Sequence, residues 1–474
     1  MKGTISMKHL LLFVIIAMSF AVSVSAQDKD WDNAPKVVPN TTQEMQSASF
    51  WIERLDDPDK VIMTPVQVEK INKRNRSLPP TIKDINGDDY SIARIIKSKL
   101  GIGLQFNVEQ PLTMKSFPGD SLRALMGYHK KLLTGRTKYD LRQMKYDEDE
   151  INRLLGMMNE SAIPSTVTPK YGILVKHTLN RAVPTMKPGF GSPRSWLDGF
   201  QSTAIDLGSP VAVLHASTDG DWLYVRSEIS FGWVLAENVA IGSAKKIGKY
   251  LDTDKVLVSL DYNVPVYGDK KFETFTNYMM IGSYVKLKKA TSSGYNVLMP
   301  IRKANGSFGT ASAWVKPDAK VSNGFQPLTQ ANAISTMFNL LYRPYGWADS
   351  NTEFDCCGTI RVVLRTFGIK TGRWTSFELH ATDNVIAFPR KTPKEKKYAI
   401  LKSCEPGICI VGGAGHINMY LGEVDGSHYV IHQGGYSYKV DDMTYHFRRV
   451  NVNDTELSGG SNIGGWTEIT HIKP

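Results

Sequence analysis

The spacing of apolar residues along this chain changes twice. Up to about residue 161, leucine and methionine recur every three or four positions beside charged residues, as in segments 120–133 and 147–158. This period is that of an amphipathic helix. The first section is therefore expected to form a helical domain.

Two helix starts in this section carry the pattern of a capping box. In such a box, two side chains bond to the backbone N–H groups that a helix start leaves without partners. Thr41 with Glu44, and Thr64 with Gln67, have the required three-residue spacing. We expect a helix to begin at each place.

After residue 165 apolar and polar residues alternate, which predicts β-strands. The predicted strands are 210–215, 222–225, 231–234, 256–267, 278–287, 295–301 and 313–315. Asp219 and Gly220 form a tight turn between the first two. Two successive small β-barrels explain this section, although its Trp and Gly residues share no spacing that marks a sequence repeat.

Beyond residue 326 both periods occur, which predicts an α+β domain. The predicted helices are 331–341 and 356–367, and the predicted strands are 408–411, 416–421 and 428–432. The whole chain is then a multidomain α+β protein. Its predicted segments are a signal peptide (1–26), a helical domain (27–165), a first barrel (166–245), a second barrel (246–326) and a C-terminal domain (327–474).

The N-terminal segment has the features of a secretory signal peptide. Lys2 and Lys8 precede an apolar run over 10–22, which is short for a membrane span, and small residues lead to Ala26. No later apolar run is long enough to cross a bilayer. We expect a periplasmic or secreted protein with no integral membrane segment once the signal peptide is removed.

Composition excludes several protein classes. A chain of 474 residues that is 42% hydrophobic suits two to four globular domains and excludes a disordered protein. Four cysteines in this length exclude a disulfide-framework protein. Removing the signal peptide lowers the net charge from +11 to +9, which favours loose attraction to an anionic envelope. No basic block with interleaved aromatic residues is present, so nucleic-acid binding is not expected.

Cys356 is a candidate nucleophile because of its place in a predicted helix. Asp355 is a natural N-cap, so the thiol of Cys356 would face the unpaired N–H groups and positive dipole end of the first turn. Both favour the thiolate. The alternative is a small buried cysteine at a helix start. Cys357 would point about 100° away around the helix.

Histidines in the following strands supply a candidate base. His416 begins an alternating strand and would take the thiol proton and return it to a leaving amine. His432 would orient the His416 ring, and we prefer it to His428, which lies near a turn. Zinc binding by these histidines and the cysteines is the alternative, but no Cys-x-x-Cys or His-Glu-x-x-His pattern is present, and no metal or cofactor is expected.

Several short motifs of the last section occur in a characteristic order. They are Tyr345-Gly346-Trp347, Asp355-Cys356-x-Gly358, Gly415-His416, Tyr420-Leu421-Gly422 and His432. This order resembles the NlpC-type papain-like cysteine peptidases that cut bacterial cell-wall peptides. The preceding section resembles the SH3-like domain found before that catalytic domain, through Arg181, Asp198, Gly208-Ser209-Pro210-Val211, Asp219-Gly220-Asp221-Trp222 and Gly232-Trp233-Val234.

The resemblance implies two SH3-like barrels and a papain-like catalytic domain that hydrolyses the γ-D-glutamyl to L-diamino acid bond of peptidoglycan stem peptides. It makes Cys356 the nucleophile, His416 the base and His432 the orienting residue. Relatives of this kind prefer a free N-terminal L-Ala, whose ammonium would be held by Asp355 and, on the barrel, by Asp198.

The resemblance also places Tyr345, Trp347 and Cys357 at the substrate. Relatives usually have Ser where Cys357 stands, and a thiol is a poorer hydrogen-bond partner, so this position bears on substrate range. We expect a monomer whose partners are stem peptides. A non-catalytic wall-binding protein, or an amidase or acyltransferase on the same fold, are the alternatives. Cys404 and Cys409 would either form a disulfide or remain free.

Overall fold

The computed structural model describes residues 38–76, 81–91, 110–413, 415–435, 437–440, 443–457 and 462–474. The predicted signal peptide lies outside these ranges. Within them, no helix is both long enough and apolar enough to cross a membrane.

Most of the described helices lie before residue 170 or after residue 326. The α-helices are Ala48–Ile52, Pro65–Arg74, Gly119–Thr134, Glu148–Met157, Ala244–Leu251, Gln330–Phe338, Cys356–Thr366, Thr375–Glu378 and Lys394–Leu401. The 3₁₀ helices are Glu44–Gln46, Pro111–Thr113, Glu160–Ala162, Ala236–Asn238, Trp347–Thr352 and Ile463–Gly465. The α-helices predicted over 120–133, 147–158, 331–341 and 356–367 are therefore present, with ends shifted by at most three residues.

The two predicted capping boxes have different outcomes. Thr64 caps the helix Pro65–Arg74, and its side chain and that of Gln67 form the reciprocal bonds. The prediction at Thr41 is wrong, because only a 3₁₀ turn forms there and Gln43 is its N-cap. The Thr41 hydroxyl instead donates to the backbone oxygen of Val38, a local bond that competes with capping.

The first β unit, residues 170–242, is a seven-stranded sheet in which all neighbouring strands are antiparallel. Its strands are Lys170–Leu174, Thr178–Arg181, Gln201–Ile205, Pro210–Ala216, Trp222–Arg226, Phe231–Leu235 and Val239–Gly242. Hydrophobic residues of this sheet, including Tyr224 and Trp233, form a core with the helix Gly119–Thr134.

The second β unit, residues 256–323, is another seven-stranded antiparallel sheet. Its strands are Val256–Ser259, Asn263–Tyr267, Phe275–Met280, Tyr284–Thr291, Gly294–Arg302, Phe308–Val315 and Val321–Asn323. The single strands predicted over 256–267 and 278–287 are wrong, since each breaks in two. The second break is at Gly282, whose φ of +74° is a turn conformation that favours glycine.

Gly282 also touches the C-terminal domain. A Cβ atom on this residue would lie 2.4 Å from the backbone oxygen of Val362, in the helix Cys356–Thr366. The second β unit therefore packs directly against that helix.

The C-terminal domain holds a six-stranded antiparallel sheet. In spatial order its strands are Val385–Ala387, Glu468–His471, Cys409–Gly413, His416–Val424, Ser427–Gln433 and Val450–Asp454. Short two-stranded ribbons join Thr81–Lys83 to Asp89–Ser91, Phe117–Pro118 to Thr166–Val167, and Tyr438–Val440 to Met443–Tyr445. The helix Cys356–Thr366 shares a hydrophobic core with the strand His416–Val424, so the domain is α+β as expected.

The N-terminal helices pack into two different cores. Trp51 and Ile71 are buried with Met337 and Ile360 of the C-terminal domain. The helix Gly119–Thr134 packs on the first β unit instead. The N-terminal helices therefore pack against two different parts of the molecule, the C-terminal domain and the first β unit.

Candidate active site

The site begins with the first turn of the helix Cys356–Thr366. Asp355 is its N-cap, and Oδ1 of Asp355 accepts a hydrogen bond of 2.8 Å from the backbone N–H of Gly358. Cys356 is thereby held at the positive end of the helix, with 7% of its surface exposed. The local capping pattern predicted this placement correctly.

Gly358 is required by close packing behind the thiol. A Cβ atom at this position would lie 1.9 Å from Oδ1 of Asp349. Any larger residue would therefore displace the Asp349 carboxylate or the helix start.

The strand that begins at His416 reaches the thiol. Sγ of Cys356 lies 3.9 Å from the backbone oxygen of Gly415, the residue before His416. Nε2 of His416 and Nδ1 of His432 are 2.7 Å apart and share a hydrogen bond between neighbouring strands. The structure therefore joins His416 to His432, the predicted base and orienting residue, and places the residue before His416 beside the thiol of Cys356, the predicted nucleophile.

His428, the alternative to His432 as the orienting residue, has other partners. Its Nδ1 bonds to the Tyr420 hydroxyl at 2.8 Å, and its ring stacks on Tyr398. On the other side of the pair, the Tyr438 hydroxyl lies 3.3 Å from Nε2 of His432. Both nitrogens of His432 are thus engaged, which holds the ring that orients His416.

Burial keeps the two site histidines neutral. Burial and the neighbouring His432 lower the pKa of His416 well below 6.5, and burial lowers the pKa of His432 to about 4. A neutral imidazole at position 416 can accept the thiol proton.

The buried histidines make stability depend on pH. As pH falls from 6.5 towards 4, an unfolded histidine binds a proton that the folded His432 does not, so the free energy of unfolding decreases. We expect a loss of roughly 2 kcal/mol from His432 between pH 7 and pH 5. Urea titrations at both pH values measure it.

The matched variants for this test are His432→Gln and His446→Gln, since His446 is exposed. His432→Gln should reduce the difference between the two pH values, whereas His446→Gln should leave it unchanged. Equal pH dependence in wild type and His432→Gln would contradict the assignment.

A buried ion-pair network surrounds the helix start, and sequence reasoning missed most of it. Nη2 of Arg373 lies 2.6 Å from Oδ2 of Asp355 and 3.2 Å from Oδ1 of Asp349. Nη2 of Arg361 lies 3.3 Å from Oδ2 of Asp349. The backbone N–H of Ala348 also donates to Oδ2 of Asp355. The sequence signal was a pair of arginines, Arg361 and Arg365, within a helix that carries an apolar stripe.

The first β unit completes this network. Nε of Arg373 donates to the Thr203 hydroxyl at 2.7 Å, and the Gln201 amide donates to the backbone oxygen of Ala348 at 3.2 Å. Asp206 pairs with Arg365, one turn along the helix from Arg361. The helix Cys356–Thr366, which carries the thiol, therefore makes buried polar contacts both within the C-terminal domain and with the first β unit.

Asp206 is ionised despite its burial. Burial alone would raise its pKa, but the charge of Arg365, a hydrogen bond from His177 and the charge of Arg361 together lower it. Asp206 therefore acts as a buried anion between the first β unit and the helix Cys356–Thr366.

Three predicted substrate residues lie along the junction of the first β unit and the C-terminal domain. The indole N–H of Trp347 donates to the backbone oxygen of Asp198 at 3.1 Å, and the rings of Tyr345 and Trp196 are 5.7 Å apart. We name the aromatic side chains Tyr345, Trp347 and Trp196, together with Asp198 beside them, the aromatic rim. The Asp198 carboxylate already pairs with Arg181 at 2.5 Å, so its predicted role in binding an ammonium stays a prediction.

Cys357 contacts Thr375 and the neighbouring nucleophile candidate Cys356. Its Sγ lies 2.8 Å from the Thr375 hydroxyl and 3.9 Å from Sγ of Cys356. The contact with Cys356, together with burial, raises the pKa of Cys357 well above 9.0. Cys357 thus stays a neutral thiol beside the nucleophile.

Glu378 is a buried acid that sequence reasoning did not single out. Within the described part of the chain, neither of its carboxyl oxygens has a hydrogen-bond partner. Burial, followed by the neighbouring Cys357, raises its pKa well above 4.5. Burial therefore favours the protonated, uncharged form of Glu378.

Two groups of described residues have the atoms of a metal site. The ligand atoms of Asp355, Cys356 and Cys357 lie within 4.8 Å of one another, but the Asp355 oxygens already accept bonds from Gly358 and Arg373. This group is part of the ion-pair network. The second group is Cys404, Cys409 and His471, and all four cysteines of the chain are free thiols.

Comparison with known proteins agrees with the sequence resemblance. The SH3 domain family of the SH3b1 type matches residues 190–235. An NlpC/P60 endopeptidase from Photobacterium damselae subsp. piscicida has a similar structure, with a TM-score of 0.67, 16% identity, and coverage of 92% of this chain and 98% of that chain. An NlpC/P60 family protein from Bacillus cereus ATCC 10987 matches 64% of this chain and 100% of its own, with 16% identity and a TM-score of 0.44.

No curated protein sequence matches the chain. The fold nevertheless follows that of the Photobacterium endopeptidase over most of the chain. The predicted resemblance to NlpC-type proteins with an SH3-like domain is therefore confirmed.

Proposed function

We propose that this chain, which has the NlpC/P60 fold and carries an SH3 domain, is a cysteine endopeptidase of the bacterial cell wall. Its substrate would be a peptidoglycan stem peptide, cut between γ-D-glutamate and the L-diamino acid. The observation that carries the proposal is the Cys356 thiol at a helix N-terminus, beside the start of a strand whose His416 is bonded to His432 of the neighbouring strand.

The site residues suit acyl transfer. The Cys356 sulfur would attack the γ-glutamyl carbonyl as His416 takes the thiol proton. His416 would then protonate the leaving amine, and a water molecule would hydrolyse the thioester. His432 keeps the His416 ring in one orientation through their 2.7 Å bond.

The preference for a free N-terminal L-Ala rests on the sequence resemblance. Its ammonium would bind beside Asp355, with Asp198 and the rest of the aromatic rim at the outer end of the site. Asp355 shares its charge with Arg373 at 2.6 Å, so the ammonium would compete with an arginine there. Acetylating the peptide N-terminus is therefore the direct probe of this part of the proposal.

The SH3 domain fits a protein that works at the cell wall. We propose that the first β unit presents the aromatic rim to the stem peptide and that the protein acts in the periplasm or outside the cell. Its buried contacts with Arg361 and Arg373 hold it against the candidate active site, so it would narrow the cleft as well as bind substrate.

The decisive experiment is product analysis with the synthetic peptide L-Ala-γ-D-Glu-diamino acid. We expect mass spectrometry to detect L-Ala-D-Glu and the released diamino acid, with slower release from the N-acetylated peptide. Absence of cleavage would favour a wall-binding protein. A product joined to an added amine would favour an acyltransferase, and release of peptide from a sugar-linked substrate would favour an amidase.

A further inference from the structure

A second cluster of reactive side chains lies away from the candidate active site. It consists of Cys404, Cys409 and His471, whose ligand atoms all lie within 4.8 Å of one another. Cys404 follows the helix Lys394–Leu401, Cys409 begins a strand of the C-terminal sheet, and His471 ends the neighbouring strand. Cys409 and His471 are directly paired in the register of that sheet.

The donor set is that of a zinc site. Zinc–sulfur bonds of about 2.3 Å and zinc–nitrogen bonds of about 2.0 Å place tetrahedral ligands roughly 3.5 to 3.8 Å apart. Sγ of Cys404 lies 4.0 Å from Nε2 of His471, so a small inward movement of the side chains reaches this geometry.

We propose that Cys404, Cys409 and His471 bind a zinc ion, with the fourth coordination position open to water. Thiolate sulfur and imidazole nitrogen are ligands that zinc prefers, whereas calcium and magnesium prefer oxygen ligands. Two thiolates would neutralise the ion in this buried place.

The surroundings of the cluster would let an ion enter from solvent. Cys409 is fully buried and Cys404 is 9% exposed, whereas His471 is partly exposed. The nearby Lys473 is paired with Glu405 at 3.0 Å, so its charge is balanced when a cation enters. The site would open towards solvent on the His471 side.

A zinc ion here would join three segments of the chain close to the strand that carries His416. The strand Cys409–Gly413 begins at the cluster, and its other end, Gly413, pairs with His416. Binding would tie the loop after Lys394–Leu401 and the last strand of the chain to this strand. We therefore expect zinc to raise the thermal stability of the folded protein.

Zinc titration of the reduced, chelator-treated full-length protein tests the site, with a chromophoric chelator as competitor. We expect one tightly bound equivalent, a higher Tm, and a thiolate-to-metal absorption band when cobalt replaces zinc. His471→Gln should weaken binding by at least about 100-fold, because loss of a metal ligand exceeds the effect of losing a residue that only orients one.

Cys357→Ser is the matched control, since Cys357 belongs to the other group of potential ligands. It should bind zinc as wild type does. If Cys409→Ser folds, it repeats the test at a second ligand. If it does not fold, His471→Gln still tests the site, because it changes only a partly exposed residue. Zinc binding lost in Cys357→Ser but kept in His471→Gln would overturn the proposal, as would reduced wild-type protein that binds no zinc. No peptide enters this assay, so its outcome is independent of the proposed peptidase activity.

Discussion

Cys356→Ala is expected to lower kcat/KM for the stem peptide by at least about 1000-fold, because the residual rate of an enzyme without its nucleophile comes only from binding and charge stabilisation. The helix cap is made by the Asp355 side chain and the Gly358 N–H, so the variant should keep its fold. Single-turnover mass spectrometry with the synthetic peptide measures the rate, and a thermal melt checks the fold. Cleavage undiminished in a folded Cys356→Ala protein would overturn the assignment.

Two histidines on one strand provide a matched comparison for the rest of the site. His432→Gln should lower kcat/KM by at least about 10-fold, since it removes the group that orients His416. His428→Gln should leave the rate near wild type, because His428 bonds to Tyr420 away from the thiol. Equal losses in the two variants would show that general damage to the sheet, and not orientation, explains the effect.

Arg373→Met is expected to have the largest effect on stability, a loss of about 3 to 5 kcal/mol in the free energy of unfolding. Arg373 is buried and contacts both Asp349 and Asp355. Methionine fills much of the same space but leaves two buried carboxylates without this cation. Urea denaturation at pH 7 measures the change, and the activity assay should fall with it because Asp355 caps the helix of Cys356.

The control for this prediction is Arg142→Met, which breaks the ion pair with Asp140 on the surface. The Arg142 side chain is 79% exposed, and exposed pairs contribute about 0 to 1 kcal/mol. If both variants lost the same amount, burial of the Arg373 network would not be what stabilises the helix start.

Local patterns predicted the parts of the site that depend on neighbours in the chain. Asp355 before a helical apolar stripe predicted the cap and the placement of Cys356, because capping bonds join residues only three apart. Alternation predicted the strands that carry His416 and His432. The same reasoning failed at Thr41, where a bond to Val38 replaces a cap, and at Gly282, where one apolar run is two strands.

The ion-pair network could not be predicted in this way. Asp206 and Arg365 come from different domains, and nothing near either residue indicates the other. Asp349 contacts Arg361 and Arg373 only because a 3₁₀ turn with residues in left-handed conformations places it behind Gly358. A buried charge needs a partner, but the sequence does not say which residue provides it.

The sequence by itself determined the type of most helices and strands, the capped cysteine and the order of the motifs, because each depends on hydrogen bonds or side-chain periods within a few residues. Tertiary structure alone decided that the N-terminal helices enter two separate cores, that the first β unit holds the helix of Cys356 through buried charges, and that Cys404, Cys409 and His471 meet. These contacts join residues far apart in the chain, and only the packing of whole domains brings such residues within bonding distance.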